Sequence, residues 1–176
     1  MKTIHNWFDE YGESHQNKTN KIIHWICIPL IFWSIIALLS LISHTYLDVF
    51  DNTVLNALTH WGTVVIFFGL IFYLRLSFKI FIGMLIFSIL VLLDIYLWVY
   101  LFELNKFWGL LSGLNISGDD LLLYTGLVLF IIAWILQFIG HKIEGKKPSF
   151  LKDIQFLLVG PAWLLGFIYK KLNIDY

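Results

Sequence analysis

Long stretches of apolar residues, separated by short polar or basic intervals, dominate this chain. A helix crossing a hydrocarbon core of about 30 Å needs roughly 20 mostly apolar residues. Ile22 to Ser43 is the first such run and carries IPLIFWSIIALLSLI without a charge. His60 to Phe102 is too long for one crossing. Arg75 and Lys79 mark a tight return that divides it into spans over 60–75 and 80–102. A fourth span, 121–140, follows a loop with Gly113 and Gly118 and the helix-start acids Asp119 and Asp120. The last apolar run, within 154–171, is shorter and contains Gly160-Pro161. Proline removes a backbone donor, so a broken or re-entrant helix and a fifth span are both open for it.

Composition turns this pattern into a class. Of 176 residues, 59% are hydrophobic and 14% charged, with a mean hydropathy of +0.79. Ordinary soluble domains are about 45–50% apolar and about 25% charged. The expected fold is an all-α integral membrane protein of one domain, 1–176, with four transmembrane helices plus the C-terminal broken, re-entrant or fifth helix. Met1 to Lys21 is polar and contains Asp9, Glu10 and Glu13, which does not suit a cleaved signal peptide. Twelve basic residues balance twelve acidic ones, which argues against a nucleic-acid partner held by a basic field. A lone cysteine, Cys27, excludes an internal disulfide framework and a cysteine-rich metal site.

Basic residues set the expected sidedness. Lys2, Lys18 and Lys21 precede the first span, and 44–59 has none. Arg75 and Lys79 follow the second span, only Lys106 lies in 103–120, and Lys142, Lys146, Lys147 and Lys152 lie in 141–153. That alternation places the N-terminus in the cytoplasm. The host membrane is the inner membrane in a bacterium or the endoplasmic reticulum in a eukaryote.

The same topology sorts the histidines. His15, His24 and His141 fall on the cytoplasmic side, at one membrane depth although drawn from distant parts of the chain. Asn17 and Asn20 stand near the first two, with Asn20 one helical turn from His24. Gln137, His141 and Glu144 share a helix face, and Gly140 lets another helix approach. Neutral imidazole ligates iron, zinc, copper or nickel, and a carboxylate can complete the set. Two histidines and a carboxylate suit a non-haem Fe(II) oxygenase, whereas three histidines and a water suit a zinc hydrolase. A membrane scaffold would carry the same apolar runs without stoichiometric metal. His44 and His60, beside Tyr46 and Trp61, read as interfacial-belt residues. His5 lies in an amphipathic stretch with Trp7 and Phe8 and reads as surface. Asp94, deep in the third span, reads as a structural hydrogen-bonding group, with a proton or solute route as the transporter alternative.

The two polar stretches also carry a resemblance. Tyr11-x3-His15-x-Asn17-x2-Asn20-x2-Ile23-His24-x4-Pro29 resembles the first signature of the Mpo1-like family. Gln137-Phe-Ile-Gly-His141-x2-Glu144-x3-Pro148 is similar to its second, and Gly160-Pro161 continues it. The resemblance implies an Fe(II)-dependent dioxygenase that uses O2 to shorten 2-hydroxy fatty acids by one carbon, in fatty acid α-oxidation. It implies His15, His24 and His141 as metal ligands. Glu144 would be a fourth ligand or a nearby base, and Asn17, Asn20 and Gln137 would orient the imidazoles. The acyl tail would lie between spans, in contact with membrane lipid.

Overall fold

A computed structural model describes residues 2–42, 53–104, 116–148 and 155–176. Seven helices are present among them: α1 (Ile4–Gly12), α2 (Lys18–Ser40), α3 (Thr53–Leu58), α4 (Trp61–Leu76), α5 (Phe78–Leu104), α6 (Gly118–Glu144) and α7 (Phe156–Lys171). His44, Tyr46, Lys106, Gly113 and Lys152 lie outside the described residues.

The chain is an all-α membrane protein. At about 1.5 Å per residue, α2, α5 and α6 are longer than a hydrocarbon core is thick, and all three are apolar enough to cross one. α4 is a shorter apolar helix. Large apolar side chains such as Phe67, Phe68, Leu90 and Ile131 are more than half exposed. Water would penalise such faces at about 25 cal/mol per Å², whereas lipid tails accept them without cost.

Local chemistry explains where the helices begin. Asn17 caps α2 by accepting from the Thr19 and Asn20 N–H groups at 2.9 and 3.4 Å. Ser117 and Asp120 form a capping box on α6, so Asp120 acts in the start signal as expected. Gly145 ends α6 with φ of 73°, a left-handed conformation that glycine adopts without a Cβ clash. Of the alternatives open for 154–171, a break at Gly160-Pro161 is not seen, because α7 runs through both residues. Pro161 is the sixth residue of α7, so its missing N–H removes one intrahelical bond in the second turn without ending the helix.

Packing places the site at one end of the bundle. α2 and α6 form the most extensive helix pair, and α4 packs against both α2 and α5. α1 and α7 pack together at the end where α2 starts and α6 finishes. Trp7, Phe8 and Tyr11 of α1 join Phe156, Val159 and Trp163 of α7 in a core cluster. α1 is thus amphipathic, with Trp7 and Phe8 on its buried face, and His5 is exposed as expected and stacks on Tyr176 at 5.5 Å.

A buried histidine cluster at the end of the bundle

His15 follows α1, His24 lies at the end of the second turn of α2, and His141 lies in the last turn of α6. Their rings converge, with centroids 4.3 Å apart for His15 and His24, 5.0 Å for His15 and His141, and 4.8 Å for His24 and His141. All three are at most 5% exposed.

Backbone carbonyls decide how two of the rings present themselves. The last carbonyls of a helix have no intrahelical partner, and α1 uses one of them, Tyr11 C=O, to accept from His15 Nδ1 at 2.6 Å. Asn20 C=O accepts from His24 Nδ1 at 2.9 Å. A carbonyl only accepts, so both rings carry the proton on Nδ1 and leave a lone pair on Nε2. This differs from the expectation that the side-chain amides of Asn17, Asn20 and Gln137 hold the imidazoles. Asn17 caps α2 instead, and Gln137 is buried in the wall of the adjoining groove.

Glu144 turns toward the chain rather than into the cluster. Its two carboxylate oxygens accept from the backbone N–H of Gln16 at 2.7 Å and of Asn17 at 2.8 Å. Asn20 Nδ2 donates to the same carboxylate at 3.0 Å and to Ser14 C=O at 3.1 Å. Lys146 Nζ donates to Glu13 C=O at 2.7 Å. The end of α6 thus grips residues 13–17, the segment that carries His15. Gly140 makes that approach feasible, because a Cβ there would meet the Asn20 side-chain oxygen.

The donor set fits a metal ion. One nitrogen from each histidine can be chosen so that all three lie within 4.8 Å of one another. His15 Nε2, His24 Nε2 and His141 Nδ1 are buried without a hydrogen-bond partner. Each such atom ordinarily costs about 1–3 kcal/mol, and a cation coordinated by three lone pairs would offset that cost. Burial, reinforced by the neighbouring His24 and His141, pushes His15 down to about 3, against the opposing pull of Tyr11 C=O and Glu144. The ring is therefore neutral near pH 7, the form that binds metal. Burial also pushes the Tyr11 hydroxyl upward.

Tyr11 is the neighbour that sequence reasoning left without a role. Its ring stacks on His15 at 4.2 Å and 13° and packs against Trp163 at 5.2 Å. Its sequence signals were its place four residues before His15 and at the head of the first family signature. Beside the cluster runs a groove of some 540 Å³, mouth included, with Tyr11, His15, Gln137 and His141 among its walls.

A family model described as 2-hydroxy-palmitic acid dioxygenase Mpo1-like matches residues 1–172. The chain belongs to the Mpo1-like family. No curated protein and no solved structure matches it significantly. The family description names a fatty-acid dioxygenase, and the buried trio at the end of this family member is a group able to hold a metal ion.

The remaining candidates lie elsewhere. Asp94 is exposed on α5 and accepts from Trp33 Nε1 at 2.7 Å. Trp33 is nine residues beyond His24 on α2, about 13 Å along the axis. His60 is buried and caps α4, accepting from Gly62 N–H at 3.1 Å, rather than standing in an interfacial belt.

Proposed function

We propose that this protein is an Fe(II)-dependent dioxygenase that cleaves 2-hydroxy fatty acids to the acid one carbon shorter, at the cytoplasmic interface of its membrane. The observation that carries the reading is the convergence of three buried, neutral imidazoles, each with one nitrogen that lacks a hydrogen-bond partner. His15, His24 and His141 would hold the ion. Bound iron would supply the redox chemistry by which O2 breaks the bond between C1 and C2.

The chain's own residues prepare that chemistry. Tyr11 C=O and Asn20 C=O keep protons on Nδ1 of His15 and His24, so Nε2 of each stays available. Glu144, with Asn20 beside it, fixes the His15 segment, and Asn17 fixes the start of α2 that carries His24. In this reading Glu144 and Asn17 are positioning residues. The Gln137 amide offers a donor and an acceptor beside His141 for the carboxylate or hydroxyl of the substrate. Lys142 and Lys147 are exposed at the same end and add a positive field for an anionic head group.

The deciding experiment is elemental analysis of the detergent-purified protein beside His24→Ala and His141→Ala. Near-stoichiometric iron that is lost in both variants, with O2-dependent consumption of 2-hydroxy fatty acid in the parent, is the expected result. Zinc in the site would replace the reading with a hydrolase. No metal after anaerobic Fe(II) reconstitution would leave a membrane scaffold.

A further inference from the structure

The groove beside the histidines is polar at one end only. Tyr11, His15, Gln137 and His141 gather there, and beyond them the α2 wall is Ile28, Ile31, Phe32 and Ile35. Those four positions follow the i, i+3, i+4, i+7 spacing of a single helix face. From the level of His24 to Ile35 is eleven residues, about 16 Å of helix. Trp134 of α6 forms the opposite wall, and Gly160 and Pro161 of α7 form a third side. α6 and α7 each pack on α2 more closely than on one another, so the stripe lies in the gap between them. Leu157, 40% exposed, stands at the mouth.

A polar head site that continues into a narrow hydrocarbon slot has the shape of a single-chain amphiphile. We propose that the α2 stripe and Trp134 form a channel for the acyl tail, with Phe32 and Ile35 at its far end setting the longest chain that the site accepts. This rests on the reading above for the chemistry of the head group. A second apolar pocket lies behind Ile28 and Pro161, lined by Met84, Phe87 and Leu165 among others. Ile28 is buried and Pro161 is rigid, and both belong to the walls of the two spaces. They form a partition between the histidines and that pocket, which directs the tail along α2. Phe32 is held by Phe87 at 5.1 Å, so the end of the channel is a fixed stop rather than a loose one.

The test measures binding without turnover. Saturated 2-hydroxy acids of stepwise increasing length displace a fluorescent fatty acid from the purified protein in lipid nanodiscs, without O2. Affinity should climb about fourfold for each methylene that finds apolar contact and then stop climbing. Ile35→Trp should move that stop to shorter acids and Ile35→Ala to longer ones. Ile35 is partly buried and packs against the cluster of Cys27, Ile31 and Ala133, so the thermal unfolding midpoint of each variant is measured beside its binding curve to confirm that the fold is kept. A 2-hydroxy acid with a photoreactive diazirine at its far end should label Phe32, Ile35 or Trp134.

A stop that neither substitution moves would overturn the channel. So would affinity that rises smoothly with length in every variant, as simple partition into lipid would produce, or labelling of Met84 and Leu165. Iron enters none of these readouts. A protein without iron whose stop still moves keeps the channel and loses the dioxygenase reading, and an iron protein with an unmoved stop does the reverse.

Discussion

The carboxylate of Glu144 accepts the backbone N–H of Asn17 at 2.8 Å, across 127 residues of chain. With the Gln16 N–H on its other oxygen, it holds the His15 segment against the end of α6. Replacing Glu144 by Gln puts an NH2 group where one of two donors now points. Metal should still bind at one ion per chain but about 10–100-fold more weakly, the usual effect of losing a group that orients ligands. Titration with Fe(II) under anaerobic conditions checks this. A variant that binds no metal at all would instead make Glu144 a ligand.

Gly140 tests the closeness of α2 and α6. Gly140→Ala drives a Cβ into the Asn20 side chain, which is fixed by Ser14 and Glu144. The expected cost is about 1–3 kcal/mol, read as a lower midpoint in thermal unfolding in detergent. Gly126→Ala lies in the same helix pair but meets the flexible end of Leu38 at 3.2 Å. It should cost much less. Equal losses in the two variants would show that Asn20 is not the obstacle.

Acid should destabilise the metal-free protein through His15. Its folded value is about 3 against 6.5 for the free side chain, so between those values the unfolded chain binds the extra proton. Stability is therefore complete above about pH 6.5 and falls as the pH is lowered toward about 3, by at most about 1.4 kcal/mol per unit for this group. Unfolding midpoints measured across that range should show the slope, and His15→Gln should make it shallower. An unchanged slope in the variant would remove His15 as its source.

Asp94 and Trp33 make a separate prediction. Their hydrogen bond joins α5 to α2 about 13 Å along the axis from His24. Trp33→Phe should cost about 1 kcal/mol of stability and leave metal stoichiometry intact. Asp94→Asn keeps an acceptor for the indole and should bind metal as the parent does. Loss of the ion in Asp94→Asn would connect this residue to the cluster.

Much of the site was legible because membrane depth is written in one dimension. Apolar runs and lysines alone put His15, His24 and His141 at the same level, and the helix period put Gln137 and Glu144 on the His141 face. The partners of the imidazoles were hidden for a physical reason. Backbone carbonyls have no sequence signature, so Tyr11 C=O and Asn20 C=O could not be told from any others, and the side-chain amides attracted the assignment. His60 misled in a similar way, since a helix cap and an interfacial residue look alike beside Trp61. The inner face of α1 was obscured because Trp7 and Phe8 suit a membrane surface as well as a packed interior. Only the arrival of α7 distinguishes the two.

That arrival has a consequence for how the protein is made. α1 is synthesised first and α7 last among the helices described, yet Tyr11 of one packs on Trp163 of the other beside His15. About 150 residues separate the two contacts, and ribosomes add roughly 5–20 residues per second. For on the order of ten to thirty seconds the nascent chain therefore carries His15 and His24 without the wall that will enclose them. An amphipathic α1 resting on the lipid surface would keep Trp7 and Phe8 out of water during that wait. Rings that would begin as a membrane foothold end packed against Phe156 and Tyr176, one helical turn from the tyrosine that walls in His15.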